Sequence, residues 1–445
     1  MSLRFSELDG ASVGVWGAGR EIRSFAGQLT RRLPRARIAV VALDAEADED
    51  VRAKLGLPDA RLVTGAEVTE ALGDCDVVVR SPGVSIHRGE LRELREGGMP
   101  VTTATALWLA ERGGSRVIGV TGTKGKSTTA TLLAHLAAAA GRSVALAGNI
   151  GVPALDLLDR PTTEVAIVEL SSYQIADLEI GPEVAVVTNL FREHTDWHGS
   201  EESYRAEKLR ILGLVGVRAT VLNGRDRQLV EAAAEAAEPT FFGVAEGWDA
   251  SPEGVSLRGE LVVGAAELTL RGEHNALNLC AALTALEVAG IAPPRLPEAL
   301  HGMASLPHRL EVVVEREGVL WIDDSISTTP ESTLAALASF PDREIVLLGG
   351  GQDRGQDYEA LGRALAERGA MVLGLPATGS RLVAAARAAG VPESRAVEVE
   401  DMESAVGLAH TVTPAGGVIL LSPAAPSYNA YLNFEERARH FRALV

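Results

Sequence analysis

The run Gly119-Val-Thr-Gly-Thr-Lys-Gly-Lys126-Ser127-Thr128-Thr129 gathers glycines, lysines and hydroxyls in the order that grips the phosphates of a nucleotide. Glycines let the backbone approach an anion, free amides at a helix start point at it, and Lys126 adds a positive charge. Ser127 carries the hydroxyl that ligates magnesium in such loops. The strict phosphate-loop pattern asks for glycine five residues before Gly125, where Val120 stands, so the match is near rather than full. A surface turn with an exposed lysine is the competing reading. The order of strand, turn and helix favours the phosphate site, and with it a nucleotide-driven reaction.

The elements that must hold this loop are legible around it. Arg116 to Thr121 reads as a buried strand, and the Ala/Leu-rich run Thr128 to Ala140 as a helix. Two further strands, Glu164 to Leu170 and Val184 to Asn189, deliver Glu169 and the loop bearing His194. Both are candidate magnesium-site residues. Their ordinary roles, a helix cap for the glutamate and a structural histidine, stay open. Lys208 in Tyr204-Arg-Ala-Glu-Lys-Leu-Arg-Ile reads by itself as a solvated helix lysine. Asn275 and Asn278, three apart at the start of an alanine-rich helix, share a face and suit either capping or nucleotide contact.

On either side of this unit the chain alternates strands and helices. Ser12 to Trp16, Arg37 to Leu43 and Asp76 to Arg80 predict a small parallel sheet. Its first turn, Gly17-Ala18-Gly19-Arg20-Glu21, approximates a dinucleotide fingerprint, with Ile22 where the third glycine belongs. A redox dinucleotide, a plain tight turn and a nucleotide-linked substrate all fit; the last fits best, with Asp44 placed for a ribose and Ser81-Pro82-Gly83 at the same sheet edge. Strands at Val319 to Ile322, Glu344 to Leu348, Ala370 to Leu373 and Gly417 to Leu421 predict another doubly wound unit at the end. Polar loops follow three of them: Asp323-Asp324-Ser-Ile326-Ser-Thr328-Thr329, Gly349-Gly-Gly-Gln-Asp-Arg354 and Ser422-Pro-Ala-Ala-Pro-Ser-Tyr428.

Composition bounds these readings. At 445 residues the chain exceeds the roughly 250 to 300 at which single cores stop growing, so two or three domains are expected. A net charge of −18 argues against a nucleic-acid partner. The two cysteines, Cys75 and Cys280, have no metal-ligand spacing, and no apolar run is long enough to cross a bilayer. A cytoplasmic enzyme without membrane insertion is the simplest expectation.

Taken in order, Thr121-Gly-Thr-Lys-Gly-Lys-Ser, Gly148-Asn149-Ile-Gly151, Glu169-Leu-Ser-Ser-Tyr-Gln, Tyr204-Arg-Ala-Glu-Lys-Leu-Arg-Ile, His274-Asn-Ala-Leu-Asn278, Pro307-His308-Arg309, Asp324-Ser325 and Ser422-Pro-Ala resemble the Mur ligases of peptidoglycan synthesis. Within that family the resemblance is to the ligase that adds glutamate to UDP-N-acetylmuramoyl-L-alanine, and it covers essentially the whole chain. It implies an α/β fold of three domains: a Rossmann-like UDP-sugar domain at 1–102, a central phosphate-loop ATPase domain with a parallel-sheet core at 103–305, and a Rossmann-like domain at 306–445 that completes the ATP and glutamate sites.

The resemblance also implies roles. ATP would meet Gly122, Thr123, Lys124, Gly125, Lys126, Ser127 and Thr128, then Asn275, Asn278, Arg309 and Asp324. The UDP-sugar would meet Gly17, Ala18, Gly19, Arg20, Ser81, Pro82 and Gly83, while Asn149 orients the reacting phosphate. Two magnesium sites are implied, one at Ser127 and Glu169 and one including His194. Lys208 matches the lysine that this family carbamylates, which would turn an ammonium into an anionic metal-site group. Glutamate would meet Thr328, Arg354, Ser422 and Tyr428. Here the sequence departs from the usual D-glutamate pattern: Ile326 replaces a lysine, Arg354 replaces another, and Tyr428 stands in a loop that commonly carries phenylalanine. Asp324-Ser-Ile-Ser-Thr-Thr-Pro330 resembles instead the branch that adds L-glutamate and depends on a partner epimerase. A D-glutamate-adding member, a folylpolyglutamate-synthase-like ligase and a noncatalytic ATP switch are the alternatives.

Overall fold

The computed structural model describes residues 2–44, 50–112, 116–191, 200–268, 270, 272–300 and 307–445. The chain divides into two compact units, one comprising Met1–Leu268 with Asn275–His301, the other Thr269–His274 with Gly302–Val445.

The first unit opens with five parallel strands, β1 (Ser12–Trp16), β2 (Arg37–Leu43), β3 (Arg61–Thr64), β4 (Val77–Arg80) and β5 (Val101–Thr102), in the order β3-β2-β1-β4-β5. The three strands expected from the sequence are all present. β3 and β5 are additions: β3 alternates partly exposed residues and β5 has two residues, so neither makes an apolar run.

A six-stranded parallel sheet follows, made of β6 (Val117–Thr121), β7 (Val144–Gly148), β8 (Val165–Glu169), β9 (Val184–Val187), β10 (Ala219–Asn223) and β11 (Pro239–Phe242), ordered β11-β10-β9-β6-β8-β7. β6, β8 and β9 are buried along their whole length, as expected of strands covered on both faces. The helix after β6 runs Lys126–Ala139, two residues earlier than the sequence suggests. A small antiparallel sheet of β12 (Trp248–Ser251), β13 (Gly254–Leu257) and β14 (Glu260–Gly264) closes the unit. Its strands are short and mix buried with exposed residues, so they form no continuous apolar run.

The second unit contains β15 (Glu311–Arg316), β16 (Val319–Asp323), β17 (Ile345–Gly349), β18 (Met371–Gly374), β19 (Ala396–Glu398) and β20 (Val418–Leu421), ordered β15-β16-β20-β17-β18-β19. Only β15 is antiparallel to its neighbour. The candidate residues at strand ends cluster where chain order reverses: after β1 and β4, after β6, β8 and β9, and after β16, β17 and β20. Open α/β sheets bind ligands at such switch points, because two loops part there and leave a crevice.

Candidate active site

The phosphate loop is shaped by two glycines. Gly122 has φ +140°, and a Cβ on it would lie 1.9 Å from the Thr188 hydroxyl; Gly125 has φ +81° and a Cβ there would lie 2.3 Å from Asn278 Oδ1. Any side chain at either position collides with the loop's own supports. Val120 explains the imperfect motif: it is the buried penultimate residue of β6, so the turn begins only at Gly122.

The loop is braced from β9. The Thr123 amide donates to Asn189 O at 2.9 Å, the Lys124 amide donates to Asn189 Oδ1 at 2.8 Å, and the Thr188 hydroxyl donates to Lys124 O at 2.6 Å. Lys126 Nζ donates to Thr123 O at 2.8 Å. Ser127 and Thr128 are buried in the first turn of the helix. Asn278 accepts from Thr129 Oγ1 at 3.3 Å and donates to Asn275 Oδ1 at 3.4 Å, so both asparagines stand together beside Gly125.

Lys208 is not a solvated lysine. It is 2% exposed, donates from Nζ to Gly122 O at 2.9 Å, and lies 5.0 Å from the centre of the Tyr204 ring. Tyr204 in turn shares a 2.7 Å hydrogen bond with Thr123 Oγ1. The helix Glu201–Leu209 therefore faces the phosphate loop, which spacing alone does not reveal.

Glu169 ends β8, alongside β6, and is 1% exposed. Its Oε1 accepts from Asn149 Nδ2 at 2.8 Å. Its Oε2 is buried with no hydrogen-bond partner among the described residues. An orphaned buried carboxylate oxygen is costly unless a cation meets it, and hard oxygen donors are what magnesium selects. Glu169 thus fits a divalent cation. The helix-cap role belongs instead to Ser171, whose hydroxyl accepts from the Gln174 amide. His194 lies outside the described residues.

In the first sheet the turn after β1 and the loop after β4 touch: a Cβ on Gly17, where φ is +98°, would lie 2.7 Å from Ser81 Cβ, and one on Gly19 3.2 Å from its hydroxyl. Ala18 sits between these glycines. Arg80, fully buried at the end of β4, donates to Ser81 O at 3.1 Å and Pro82 O at 3.2 Å, which fixes the Ser81-Pro82-Gly83 loop. Arg20 departs from this group; its guanidinium reaches Gly148 O, Asn149 O and Gly151 O. Asp44 accepts from Trp16 Nε1 at 3.1 Å and pairs with Arg88.

In the second unit Asp324 is buried; Ser422 Oγ donates to its Oδ2 at 2.7 Å and the Leu310 amide to its Oδ1 at 3.2 Å. Burial pushes its pKa up to about 6, against the lowering effects of Ser327, Ser422, the Leu310 amide and Arg309. Thr328 is partly buried in the same loop, and Thr329 caps the helix Pro330–Ala338. Arg354 is exposed and lies 5.8 Å from the centre of the Tyr428 ring, itself 59% exposed. His308, Glu311 and Asp323 come close enough to suggest a cation site, but Arg442 already pairs with both carboxylates there.

Two buried arginines support these loops without a sequence motif. Arg80 could have been suspected from its place at the end of an all-apolar strand, while Arg437 stands in an ordinary charged helix. Arg437 is buried and donates to Ser325 O at 2.8 Å and Ala425 O at 3.1 Å, tying the loops after β16 and β20 together.

Parallel sheets with polar switch-point loops, one of them a phosphate cradle backed by a cation-ready carboxylate, define a multi-domain α/β phosphate-loop enzyme. Residues 120–286 match the Mur ligase middle domain, and residues 308–425 match the Mur ligase glutamate ligase domain. A UDP-N-acetylmuramoyl-L-alanine--L-glutamate ligase of a Micromonospora strain is 42% identical, with 100% of this chain and 98% of that protein covered. The ligase of the same name from Salinispora tropica is 41% identical over 100% and 99%. The chain belongs to the Mur ligase family, as its ordered motifs suggest. Among solved structures, MurF ligase from Thermotoga maritima in complex with ADP shares the fold at TM-score 0.61 and 18% identity, covering 100% of this chain and 98% of that one. A bifunctional folylpolyglutamate synthase/dihydrofolate synthase from Yersinia pestis, complexed with AMPPNP and Mn, covers 76% of this chain and 92% of its own at TM-score 0.56 and 20% identity.

Proposed function

We propose that this chain is an ATP-dependent ligase that joins L-glutamate to UDP-N-acetylmuramoyl-L-alanine in peptidoglycan precursor synthesis. The observation that carries the reading is its identity of 42% and 41%, over its whole length, to two ligases named for that reaction. The phosphate loop and the orphaned Glu169 oxygen supply the machinery that the reaction needs.

The substrate's carboxylate oxygen attacks the γ-phosphorus of ATP, the bond to ADP breaks, and an acyl phosphate forms. The glutamate amine then attacks the acyl carbon, loses a proton, and the tetrahedral species expels phosphate to leave an amide. A phosphoryl transfer of this kind asks the protein for position and charge neutralisation. Lys126 and the loop amides hold the phosphates; Asn275, Asn278, Arg309 and Asp324 hold the rest of ATP. Asn149 orients the reacting groups from its bond to Glu169. Magnesium, held by Ser127 and Glu169 with a second ion at His194 and carbamylated Lys208, would neutralise phosphate charge. Gly17, Ala18, Gly19, Ser81, Pro82 and Gly83 receive the UDP-sugar.

Thr328, Arg354, Ser422 and Tyr428 receive glutamate. Enantiomers share groups but not their arrangement, so relocating a cation changes which one presents its amine correctly. The planar fork of Arg354 grips a carboxylate where a lysine offers a point charge. An L-glutamyl product would pass to an epimerase, and the reactants place the work in the cytoplasm.

Phosphate release that requires ATP, UDP-N-acetylmuramoyl-L-alanine and glutamate together tests the reading. Release that needs no glutamate, or ATP binding with no release, would instead support a nucleotide switch.

A further inference from the structure

The segments on both sides of Glu169 are held by consecutive residues at the start of one helix of the first sheet. The helix Arg20–Arg32 follows the Gly17-Ala-Gly19 turn. Arg20 Nη2 donates to Gly148 O at 2.7 Å and Asn149 O at 2.9 Å, and its Nη1 donates to Gly151 O at 3.2 Å. Glu21 accepts from Gln174 Nε2 at 2.6 Å and from Thr105 Oγ1 at 3.1 Å. Gln174 Oε1 accepts from the Ser171 amide at 2.8 Å and its hydroxyl at 3.0 Å.

Arg20 reaches the loop that bonds to Glu169 through Asn149. The Asn149 amide donates to Glu169 O at 2.9 Å while Asn149 Nδ2 holds Oε1. Gly148 has φ +100°, and a Cβ there would lie 2.3 Å from the backbone carbonyl Glu169 O, so the loop lies tight against the backbone of Glu169. A guanidinium that gathers three carbonyls fixes a loop as a single donor does not, because its five N–H groups form a rigid planar fork. With Asn149 on Oε1, Oε2 is the Glu169 carboxylate oxygen left buried without a hydrogen-bond partner among the described residues.

We propose that Arg20 is a positioning residue for Glu169, acting through the 148–151 loop, and not a direct ligand of the sugar nucleotide; this rests on the reading of Glu169 as a metal ligand. Its effect falls on the affinity of the divalent cation and on turnover. Groups that orient a metal ligand typically contribute about 10–100-fold in metal affinity or activity. Glu21 does the same for the other flank through Gln174, so the turn proposed to hold UDP-N-acetylmuramoyl-L-alanine and the carboxylate proposed to hold the cation share one rigid frame.

The test uses the full chain and Mn²⁺ as a spin probe, with binding read by electron paramagnetic resonance in the presence of a non-hydrolysable ATP analogue. Arg20→Gln should weaken Mn²⁺ binding by about tenfold or more and lower kcat in step, with KM for UDP-N-acetylmuramoyl-L-alanine within about twofold of wild type. Arg20→Lys, which restores charge but not the fork, should recover part of the loss. A raised KM for the sugar nucleotide with Mn²⁺ affinity and kcat unchanged would overturn the proposal and return Arg20 to direct substrate contact. Glu169→Gln is the separate control. Unchanged Mn²⁺ affinity in that variant sinks the metal-ligand reading itself, whatever Arg20 does. Thermal melting shows that each variant is folded, which the exposed position of Arg20 favours.

Discussion

The edge of the first unit proposed to hold phosphate and the edge of the second proposed to hold glutamate are built from different materials. Around Gly122 and Gly125 the shape is set by backbone: positive-φ glycines with no room for a Cβ beside Thr188 and Asn278, and carbonyls and amides bonded to Thr188 and Asn189. Around Asp324 and Arg354 it is set by side chains: Ser422 donating to buried Asp324, and Arg354 lying near Tyr428 at the surface. Such a cradle tolerates little change at Gly122 and Gly125, because any side chain there adds an atom where none fits. A side-chain edge can be re-lettered residue by residue while its strands stay put.

The comparison breaks first at Lys126. Lys126→Ala should lower turnover on the order of 10²-fold or more, as removal of a transition-state donor does, with the loop's fold retained because the glycine contacts remain. Amide formation at the wild-type rate would detach the loop from the chemistry.

The next effect is on stability, and belongs to the second unit. Asp324 titrates at about 6 when folded, against 3.8 for an unperturbed carboxyl. Its raised value means that the folded state binds the proton more tightly, so its stabilisation is complete below about pH 4 and is lost as pH rises through about 6. The loss is on the order of 3 kcal/mol. Asp324→Asn should flatten that slope when unfolding is followed by denaturant titration from pH 4 to pH 7; an unchanged slope would assign the dependence elsewhere.

The smallest structural effect and the most specific functional one fall at Arg354. Because it is exposed, Arg354→Gln should leave the melting temperature nearly unchanged while raising KM for glutamate about tenfold, the loss of roughly one charge-assisted contact of about 1.5 kcal/mol. Unaltered KM would remove Arg354 from the glutamate site.

How far the sequence carries differs between these same regions. β1, β2, β6, β8, β16, β17 and β20 are dense apolar runs, and their ends announce the candidate loops. β3, β5 and β12 to β14 are short or half-exposed and leave no such trace. Glu169 is legible as a strand-end acid, but only the structure shows its second oxygen buried without a hydrogen-bond partner among the described residues. Lys208 reads from its segment as a solvated lysine, because nothing local says that its helix packs on the phosphate loop. Arg20 and Arg437 act on carbonyls far away in sequence, a role that no motif encodes.

The central claim, an ATP-driven ligation whose acceptor is chosen at the side-chain edge, meets its most direct test in parallel reactions with D- and L-glutamate. Chiral analysis of the UDP-N-acetylmuramoyl dipeptide formed should show L-glutamate incorporated with a strong preference and D-glutamate scarcely used. Strong preference for D-glutamate would contradict the account, placing Ile326 and Arg354 among neutral changes in a D-glutamate-adding enzyme.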